Sequence, residues 1–264
     1  MTKFLFNGFN ASPLLGGAVS VVEQIDAAAG AGFDLVALDR YSLEAFVAQG
    51  GVVGQLERQL REAGIGCGSI TGAAMLGADE DTDAALTKAM GWAASLGAPF
   101  VQINIGLEAA GQLAALEAAC DLVGGKVRLA IEYLPITPLA RVTDTVALAR
   151  QVGFERAGAL IDIWHHEHGP DTWDDLATVP LEAVAYVEFD DALTAESDDL
   201  AAEMMSRRTF PGQGVLDCAR FARAISAIGA GDLVSVEVLN AEWRERDLAR
   251  FARECLTASR PYWT

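Results

Sequence analysis

VRLAIE (residues 127–132) is a short, mostly apolar run that ends on an acid, Glu132. Three later runs have the same form and carry an acid at or near their C-terminal ends: GALID (158–162, Asp162), VAYVE (184–188, Glu188) and LVSVEV (233–238, Glu237). A carboxylate in a buried strand is costly unless it has a partner or binds a metal. Four such acids on successive predicted strands therefore favour one shared site.

Apolar runs alternate with helical stretches along the whole chain. The pattern predicts eight strands, at 4–9, 33–39, 65–70, 99–105, 127–132, 158–163, 184–189 and 233–239. It predicts helices at 18–30, 52–63, 81–96, 107–124, 138–152, 172–178, 215–228 and 244–258. Near-continuous apolar strands, and helices that end at Gly just before the next strand, are typical of repeated parallel βαβ units. We therefore predict an α/β protein, a single (β/α)8 TIM barrel formed by one domain over residues 1–264.

The predicted barrel brings the four acids together. The C-terminal ends of parallel barrel strands converge on one mouth, where barrel enzymes carry their chemistry. Converging carboxylates repel one another unless a cation holds them. Glu132, Asp162, Glu188 and Glu237 are therefore predicted to bind one divalent metal ion.

The overall composition excludes several classes of partner. A formal charge of −18 is unsuited to nucleic acid or to an anionic membrane surface, both of which need clustered basic residues. No run approaches 18 apolar residues, and the first residues contain no apolar signal segment. The four cysteines form no C-x-x-C pair. We expect a cytoplasmic protein with buried, free cysteines.

A histidine-rich segment follows the sixth predicted strand and is expected to be a loop at the mouth. It contains His165, His166 and His168, and His165 lies three residues after Asp162. This offset suits a catalytic His165 that serves as acid, base or hydrogen-bond donor. His166 is a second candidate for substrate binding, although a loop histidine is more often a solvated surface residue.

The longest stretch without predicted structure, 191–214, precedes the last strand and is long enough to form a lid. Within it, Arg208 stands just ahead of a Pro-Gly-x-Gly turn and is a candidate substrate contact, with an ordinary solvated arginine as the alternative. Asp191 could orient Arg208 or a ligand, or only cap the next segment.

Five motifs taken together resemble the xylose isomerase-like TIM-barrel superfamily, which includes sugar (phosphate) isomerases and epimerases. They are IEYLP (131–135), DIWH (162–165), VEFDDA (187–192), RTFPGQG (208–214) and VSVEV (234–238), and the resemblance covers nearly the whole chain. It implies that Glu132, Asp162 and Glu237 bind a divalent metal, with Glu132 and Glu237 also the acid–base pair. It further implies that His165 and Arg208 contact the substrate.

Glu188 departs from the pattern of this family. Epimerases of the group usually have His on the seventh strand, whereas Gln, which is nearly isosteric with Glu, is familiar in a dehydratase-like branch. A glutamate makes the site all-oxygen, which favours Mn²⁺ or Mg²⁺, with Co²⁺ and Zn²⁺ as alternatives. The absence of histidine outside 165–168 argues against the related three-zinc endonuclease IV.

The expected function is therefore a metal-dependent isomerase or epimerase. It would remove a proton next to the carbonyl of a hydroxy-ketone, through a metal-stabilised enediolate. A dehydratase of the 3-dehydroshikimate or inosose type starts with the same step and is the first alternative, and a non-catalytic scaffold is the second. A Glu188 salt bridge to Arg207 or Arg208 would mark the scaffold.

The expected substrate is a small molecule: a sugar, a cyclitol or a cyclic hydroxy-ketone. The aromatic residues Trp164, Phe189, Phe210 and Trp243 suggest a less polar substrate if they line the mouth, and core packing otherwise. Barrels of this group commonly form homo-oligomers, so the resemblance makes a homo-oligomer possible, while the sequence itself does not fix the oligomeric state.

Overall fold

The computed structural model describes residues 1–77, 81–125 and 127–263. Eight parallel strands form a closed barrel, in which each strand pairs with its chain neighbours and the last pairs with the first. They are β1 (Lys3–Asn7), β2 (Leu35–Asp39), β3 (Gly66–Leu76), β4 (Phe100–Ile105), β5 (Arg128–Glu132), β6 (Ala157–Asp162), β7 (Val184–Phe189) and, after two short strands, β10 (Leu233–Val236). The predicted (β/α)8 barrel is confirmed.

Helices connect the strands on the outside of the barrel. They are α1 (Val21–Ala31), α2 (Arg40–Ala48), α3 (Val53–Ala63), α4 (Thr82–Leu96), α5 (Ala109–Val123), α6 (Val142–Val152), α7 (Ile163–His168), α8 (Trp173–Ala177), α9 (Leu200–Ser206), α10 (Cys218–Ala227), α11 (Ala241–Arg244) and α12 (Leu248–Ser259). Single 3-10 turns lie at Gly8–Ala11, Pro13–Leu15, Leu181–Ala183 and Arg260–Tyr262. Within the described ranges, no helix is both long and apolar enough to cross a membrane.

The joints between helices and strands follow the sequence prediction. Four helices that precede a strand end at a glycine with positive φ: Gly32, Gly64, Gly97 and Gly124. A left-handed residue at this position ends a helix and turns the chain, and glycine adopts it without steric cost. The chain then enters β2, β3, β4 or β5 within a few residues.

The period of two along each strand places the acids on the same face as a small apolar cluster. Ala130, Leu160 and Tyr186 form this cluster, separate from the main core between barrel and helices. Each stands two residues before an acid, Glu132, Asp162 or Glu188 respectively. Side chains two apart on a strand point the same way, so the acids continue the barrel interior towards the mouth.

Several segments differ from the prediction. Helix α2 lies between β2 and α3, where no helix was predicted. The histidine-rich segment, expected as a loop, is helix α7, which begins at once after β6 because the Asp162 carboxylate accepts a hydrogen bond from the Trp164 N–H at 2.6 Å. Residues 191–214, for which no regular structure was predicted, contain three short elements. Strand β8 (Asp191–Ala192) pairs antiparallel with β9 (Arg208–Thr209), and α9 lies between them. Strand β3 extends six residues beyond its predicted end.

Candidate active site

Four carboxylates from neighbouring strand ends form the centre of the site. One oxygen each of Glu132, Asp162, Glu188 and Glu237 lies within 4.8 Å of the others. All four side chains are buried, Asp162 and Glu188 almost completely (0% and 1% exposed) and Glu132 and Glu237 slightly less (6% and 7%). The structure thus brings together the acids that the sequence singled out.

Glu132 is held by three side chains. Its Oε2 accepts hydrogen bonds from Gln102 Nε2 and from Asn104 Nδ2, the latter at 2.9 Å. Its Oε1 lies 2.9 Å from His165 Nε2, which also lies 3.4 Å from an Asp162 oxygen. Because both neighbours are carboxylates, this ring nitrogen must carry the proton to form a hydrogen bond. His165 therefore donates to these carboxylates and lies within the site.

Asn7 joins the acids on the other side of the cluster. Its amide nitrogen donates to Glu188 Oε1 at 2.8 Å and to Glu237 Oε1 at 2.9 Å. The amide oxygen accepts the Phe9 N–H at 3.0 Å, and this contact fixes which end of the amide faces the acids. Ser235 Oγ adds a further hydrogen bond to Glu188 Oε1 at 3.1 Å.

Arg208 lies within the acidic cluster and is only 1% exposed. Its Nη1 forms ion pairs with Asp162 at 2.7 Å and with Asp190, while Nη2 lies 3.4 Å from Glu237 Oε2. The Nε–H donates to the carbonyl of Met204 at 3.1 Å. The alternative of a solvated loop arginine is therefore wrong.

The electrostatics of the cluster are unbalanced, because five buried carboxylates, including Asp190, face one arginine. Burial, followed by repulsion from Glu237 and Glu132, raises the pKa of Glu188 well above its usual range. Burial also raises the pKa of Glu237 to about 8, although Arg208 opposes the shift. Burial alone would raise the pKa of Asp162, but Arg208 and His165 outweigh it and lower that pKa.

The cluster fits a divalent cation. No residue that the structure describes donates a hydrogen bond to Glu188 Oε2, which is buried. A buried carboxylate oxygen without a donor is costly, and a cation removes that cost. Carboxylate oxygens are the ligands preferred by hard cations such as Mg²⁺ and Mn²⁺. Glu132, Asp162 and His165 form a second candidate set, in which one ligand atom of each residue lies within 4.8 Å of the others. A set that includes a histidine is more typical of Zn²⁺.

Two sequence-predicted contacts lie elsewhere. His166 points away from the acids and packs on Trp173, with 4.5 Å between ring centroids, and on Phe221. Asp191 does not contact Arg208, because its two oxygens accept four backbone N–H groups, from Ala192, Gly212, Gly214 and Leu216. Asp190, the preceding residue, is the one that pairs with Arg208.

Several polar residues of the site were not predicted from the sequence: Asn7, Gln102, Asn104, Asp190 and Ser235. Asn7 ends β1 and Asn104 is the last residue but one of β4, like the predicted acids, whereas Gln102 lies in the middle of β4. Neutral amides at these positions are not costly to bury in the way that a carboxylate is, so they do not stand out in the sequence. Asp190 carried a stronger signal, because it directly follows β7.

A cavity of about 280 Å³ opens onto the cluster. Its floor is polar and includes Glu132, Glu237, His165, Arg208, Gln102 and Asn104. Its wall is mostly apolar: Phe9, Leu14, Tyr41, Gly72, Ala74, Met75, Leu134, Ile136, Met204, Met205 and Leu239. None of the four aromatic residues considered for the mouth lines it, so the alternative of core packing applies. Phe189, Phe210 and Trp243 pack against other rings, and Trp164 is buried against His168.

Comparisons with known proteins agree with this architecture. A sequence model of the xylose isomerase-like TIM barrel matches residues 25–258. No protein of curated function matches the chain in sequence. Many solved structures share the fold.

The IolI protein, solved with a bound zinc atom, has a TM-score of 0.87 at 15% identity, covering 99% of this chain and 98% of its own. A xylose isomerase domain protein from Salmonella typhimurium LT2 has a TM-score of 0.85 at 15% identity, covering 100% and 98%. D-allulose 3-epimerase from Methylomonas sp., in complex with D-allulose, has a TM-score of 0.74 at 17% identity, covering 99% and 97%. At these identities the likeness concerns the fold.

Proposed function

The chain belongs to the xylose isomerase-like TIM-barrel family, and on that premise we propose that it is a metal-dependent enzyme of isomerase or epimerase type. Its reaction begins with removal of a proton next to the carbonyl of a small hydroxy-ketone, such as a sugar, a cyclitol or a cyclic hydroxy-ketone. The observation that carries the proposal is the convergence of four strand-end carboxylates at the base of one cavity, two of which line it.

Asp162, Glu188, Glu132 and Glu237 would hold the metal ion, with Mn²⁺ or Mg²⁺ favoured by the all-oxygen set. When bound, such an ion polarises a carbonyl and makes the neighbouring C–H more acidic. IolI, which shares the fold, was solved with a bound zinc atom, which supports the proposal of a metal ion here and keeps Zn²⁺ as an alternative.

Burial separates two roles among the acids. Glu132 and Glu237 line the cavity, whereas Asp162 and Glu188 lie beneath it and are almost fully buried. Proton transfer requires a group within hydrogen-bond reach of the substrate, so Glu132 and Glu237 are the proposed acid–base pair. Gln102, Asn104 and His165 hold Glu132 in one orientation, and Asn7 holds Glu237. Such preorganisation lowers the cost of reaching the reactive geometry.

The ion pairs of Arg207 and Arg208 differ from those expected of a non-catalytic scaffold. Arg207 pairs with Glu196 and Glu203, and Arg208 pairs with Asp162, Asp190 and Glu237. Within the described part of the chain, neither forms a salt bridge to Glu188, which was the feature expected of a scaffold.

Hydrogen–deuterium exchange tests the proposal. The protein, loaded with Mn²⁺, is incubated in D₂O with a panel of ketoses and inososes, and loss of the C–H signal next to the carbonyl is followed by NMR. Exchange is expected with at least one compound. Glu132→Gln should lower the exchange rate by about 100-fold or more, because it loses the proton acceptor. Glu182→Gln, on an exposed residue far from the cluster, serves as control.

The products of the same experiment separate the chemical alternatives. A changed configuration or a shifted carbonyl identifies epimerisation or isomerisation. Loss of water to give a conjugated enone identifies a dehydratase. No exchange with any compound, in protein shown to contain metal, would contradict the proposal.

A further inference from the structure

The wall of the cavity has a character different from its floor. Leu134, Ile136, Met204, Met205, Leu14 and Phe9 all contribute to it. Among the described residues that line the cavity, Tyr41 has the one side-chain hydroxyl. Arg40 already donates a hydrogen bond to this hydroxyl at 3.1 Å. The hydroxyls of a free sugar would find few partners here, and buried groups without partners lower affinity.

The rim of the cavity is apolar as well. Leu14 and Ile136 line the cavity and yet are 50% and 45% exposed. Large apolar side chains held at the entrance of a polar site remain in water until a ligand covers them. Burial of apolar surface by a ligand is favourable in proportion to the area covered.

The cavity offers no free cation for a phosphate group. Arg208 is the one arginine or lysine among the described lining residues, and three carboxylates already pair with it. Arg244, near the rim, donates to the carbonyls of Leu15 and Met205, and Arg40 lies over the ring of Tyr41. An anionic substrate would also meet the excess of carboxylates on the floor.

We infer that the substrate is an uncharged hydroxy-ketone that carries an aromatic ring. The inference rests on the proposed function: the hydroxy-ketone end reaches Glu132 and Glu237, and the ring lies against the apolar wall. The rings of Phe9 and Tyr41 and the methionine side chains suit an aromatic group, because thioether sulfur contacts aromatic rings favourably. A cavity of about 280 Å³ limits such a substrate to a small molecule.

Three probes of graded chemistry test the inference. They are dihydroxyacetone, α-hydroxyacetophenone, in which a phenyl ring replaces one hydroxymethyl group, and dihydroxyacetone phosphate. Exchange in D₂O moves one carbon-bound proton to a carboxylate and returns one deuteron, with no other change. For α-hydroxyacetophenone, kcat/KM for exchange is expected to exceed that for dihydroxyacetone by about 10-fold or more. The phosphate should be the poorest of the three.

Two variants of rim residues, compared with a control variant outside the cavity, test whether the apolar rim causes the preference for the phenyl probe. Leu14→Ser and Ile136→Ser are each expected to lower kcat/KM for the phenyl probe by about 3-fold or more, and to lower that for dihydroxyacetone by a smaller factor. Val215→Ser, which alters a side chain 61% exposed and outside the cavity lining, should affect neither probe. Equal losses for both probes in the rim variants would contradict the inference.

The outcomes also separate this inference from the proposed function. If dihydroxyacetone or its phosphate exchanges faster than the phenyl probe, the function stands and the aromatic substrate is wrong. If no probe exchanges, calorimetric binding of the three in the presence of Mn²⁺ decides. Tighter binding of the phenyl probe supports the inference without the chemistry, and equal or weaker binding overturns it.

Discussion

At the scale of single residues, Asn7 is the side chain on which two of the four acids depend. Its amide donates to Glu188 and Glu237 at the same time, and the Phe9 N–H fixes its orientation. Side chains that hydrogen-bond metal ligands orient them, and their loss weakens metal binding without changing the ligands. Asn7 is therefore a positioning residue for the proposed metal site.

Replacing Asn7 with alanine should weaken the binding of Mn²⁺ by about 10- to 100-fold, because both glutamates lose their shared donor. Isothermal titration measures the affinity. Asn10→Ala is the matched control, since Asn10 is also buried in this segment but donates to the Val236 carbonyl instead. Equal affinities in the two variants would show that the contact has no role in metal binding.

The pKa of His166 leads to a prediction of how the free energy of unfolding depends on pH. Burial, in spite of Asp175, lowers the pKa of His166 from 6.5 to about 4. The imidazole therefore takes up a proton more readily in the unfolded chain than in the folded protein. The stability that comes from keeping His166 neutral is complete above pH 6.5 and is lost progressively as the pH falls from 6.5 through 4. Between pH 7 and pH 5 the loss amounts to about 2 kcal/mol.

His166→Phe keeps an aromatic ring against Trp173 and removes the titration. Its free energy of unfolding, measured in urea, should fall less between pH 7 and pH 5 than that of the unmodified protein. Parallel pH profiles for the two proteins would show that His166 does not contribute.

The positions of the four acids could be predicted from sequence, but most of their partners could not. An acid at the end of an apolar run can be recognised from the local sequence, and the barrel fold places that acid at the mouth. Gln102 and Asn104 reach Glu132 from the neighbouring strand, and Asn7 reaches Glu188 from almost the opposite end of the chain. Such pairings depend on strand register, which a single sequence does not reveal.

At the scale of secondary-structure elements, the segment between β7 and β10 was the least predictable. It contains α9, which supplies Met204 and Met205 to the cavity wall, and β9, which carries Arg208. Helix α7 was missed for a related reason. Asp162 is both the last residue of β6 and the N-cap of α7, so no turn residue separates the two elements. Asp39 has the same double role between β2 and α2.

Asp191 holds this segment together. Its carboxylate accepts the N–H of the adjacent Ala192 and three N–H groups in and just after the Pro-Gly-Gln-Gly turn, and a Cβ on Gly214 would lie 2.1 Å from the Ala192 carbonyl oxygen. The turn thus wraps closely around the carboxylate, and only glycine fits at position 214. The same turn follows β9, so its geometry supports the position of Arg208.

Asp191→Ala should lower the free energy of unfolding by about 3 kcal/mol, because several backbone donors lose a charged acceptor. Urea unfolding measures the change. Asp198→Ala, on an exposed residue of the same segment, should stay within about 0.5 kcal/mol of the unmodified protein. A loss at position 191 as small as this control would mean that the turn is held by other contacts.

At the scale of the whole molecule, negative charge is concentrated where a cation is needed. The chain carries a formal charge of −18, and five of its carboxylates are buried around Arg208. Such an arrangement opposes folding unless protons or a cation neutralise it. A bound ion would stabilise the native state according to its concentration and affinity. The proposed metal ion would therefore stabilise the barrel as well as take part in its chemistry.

The number of divalent ions bound per chain tests the central claim most directly. Protein purified without chelators is analysed for metal and then titrated with Mn²⁺ after chelator treatment, with Glu132→Gln measured beside it. The account predicts one ion per chain in the unmodified protein and markedly weaker binding in the variant. No bound metal, together with no thermal shift on addition of Mn²⁺, Mg²⁺, Co²⁺ or Zn²⁺, would contradict it.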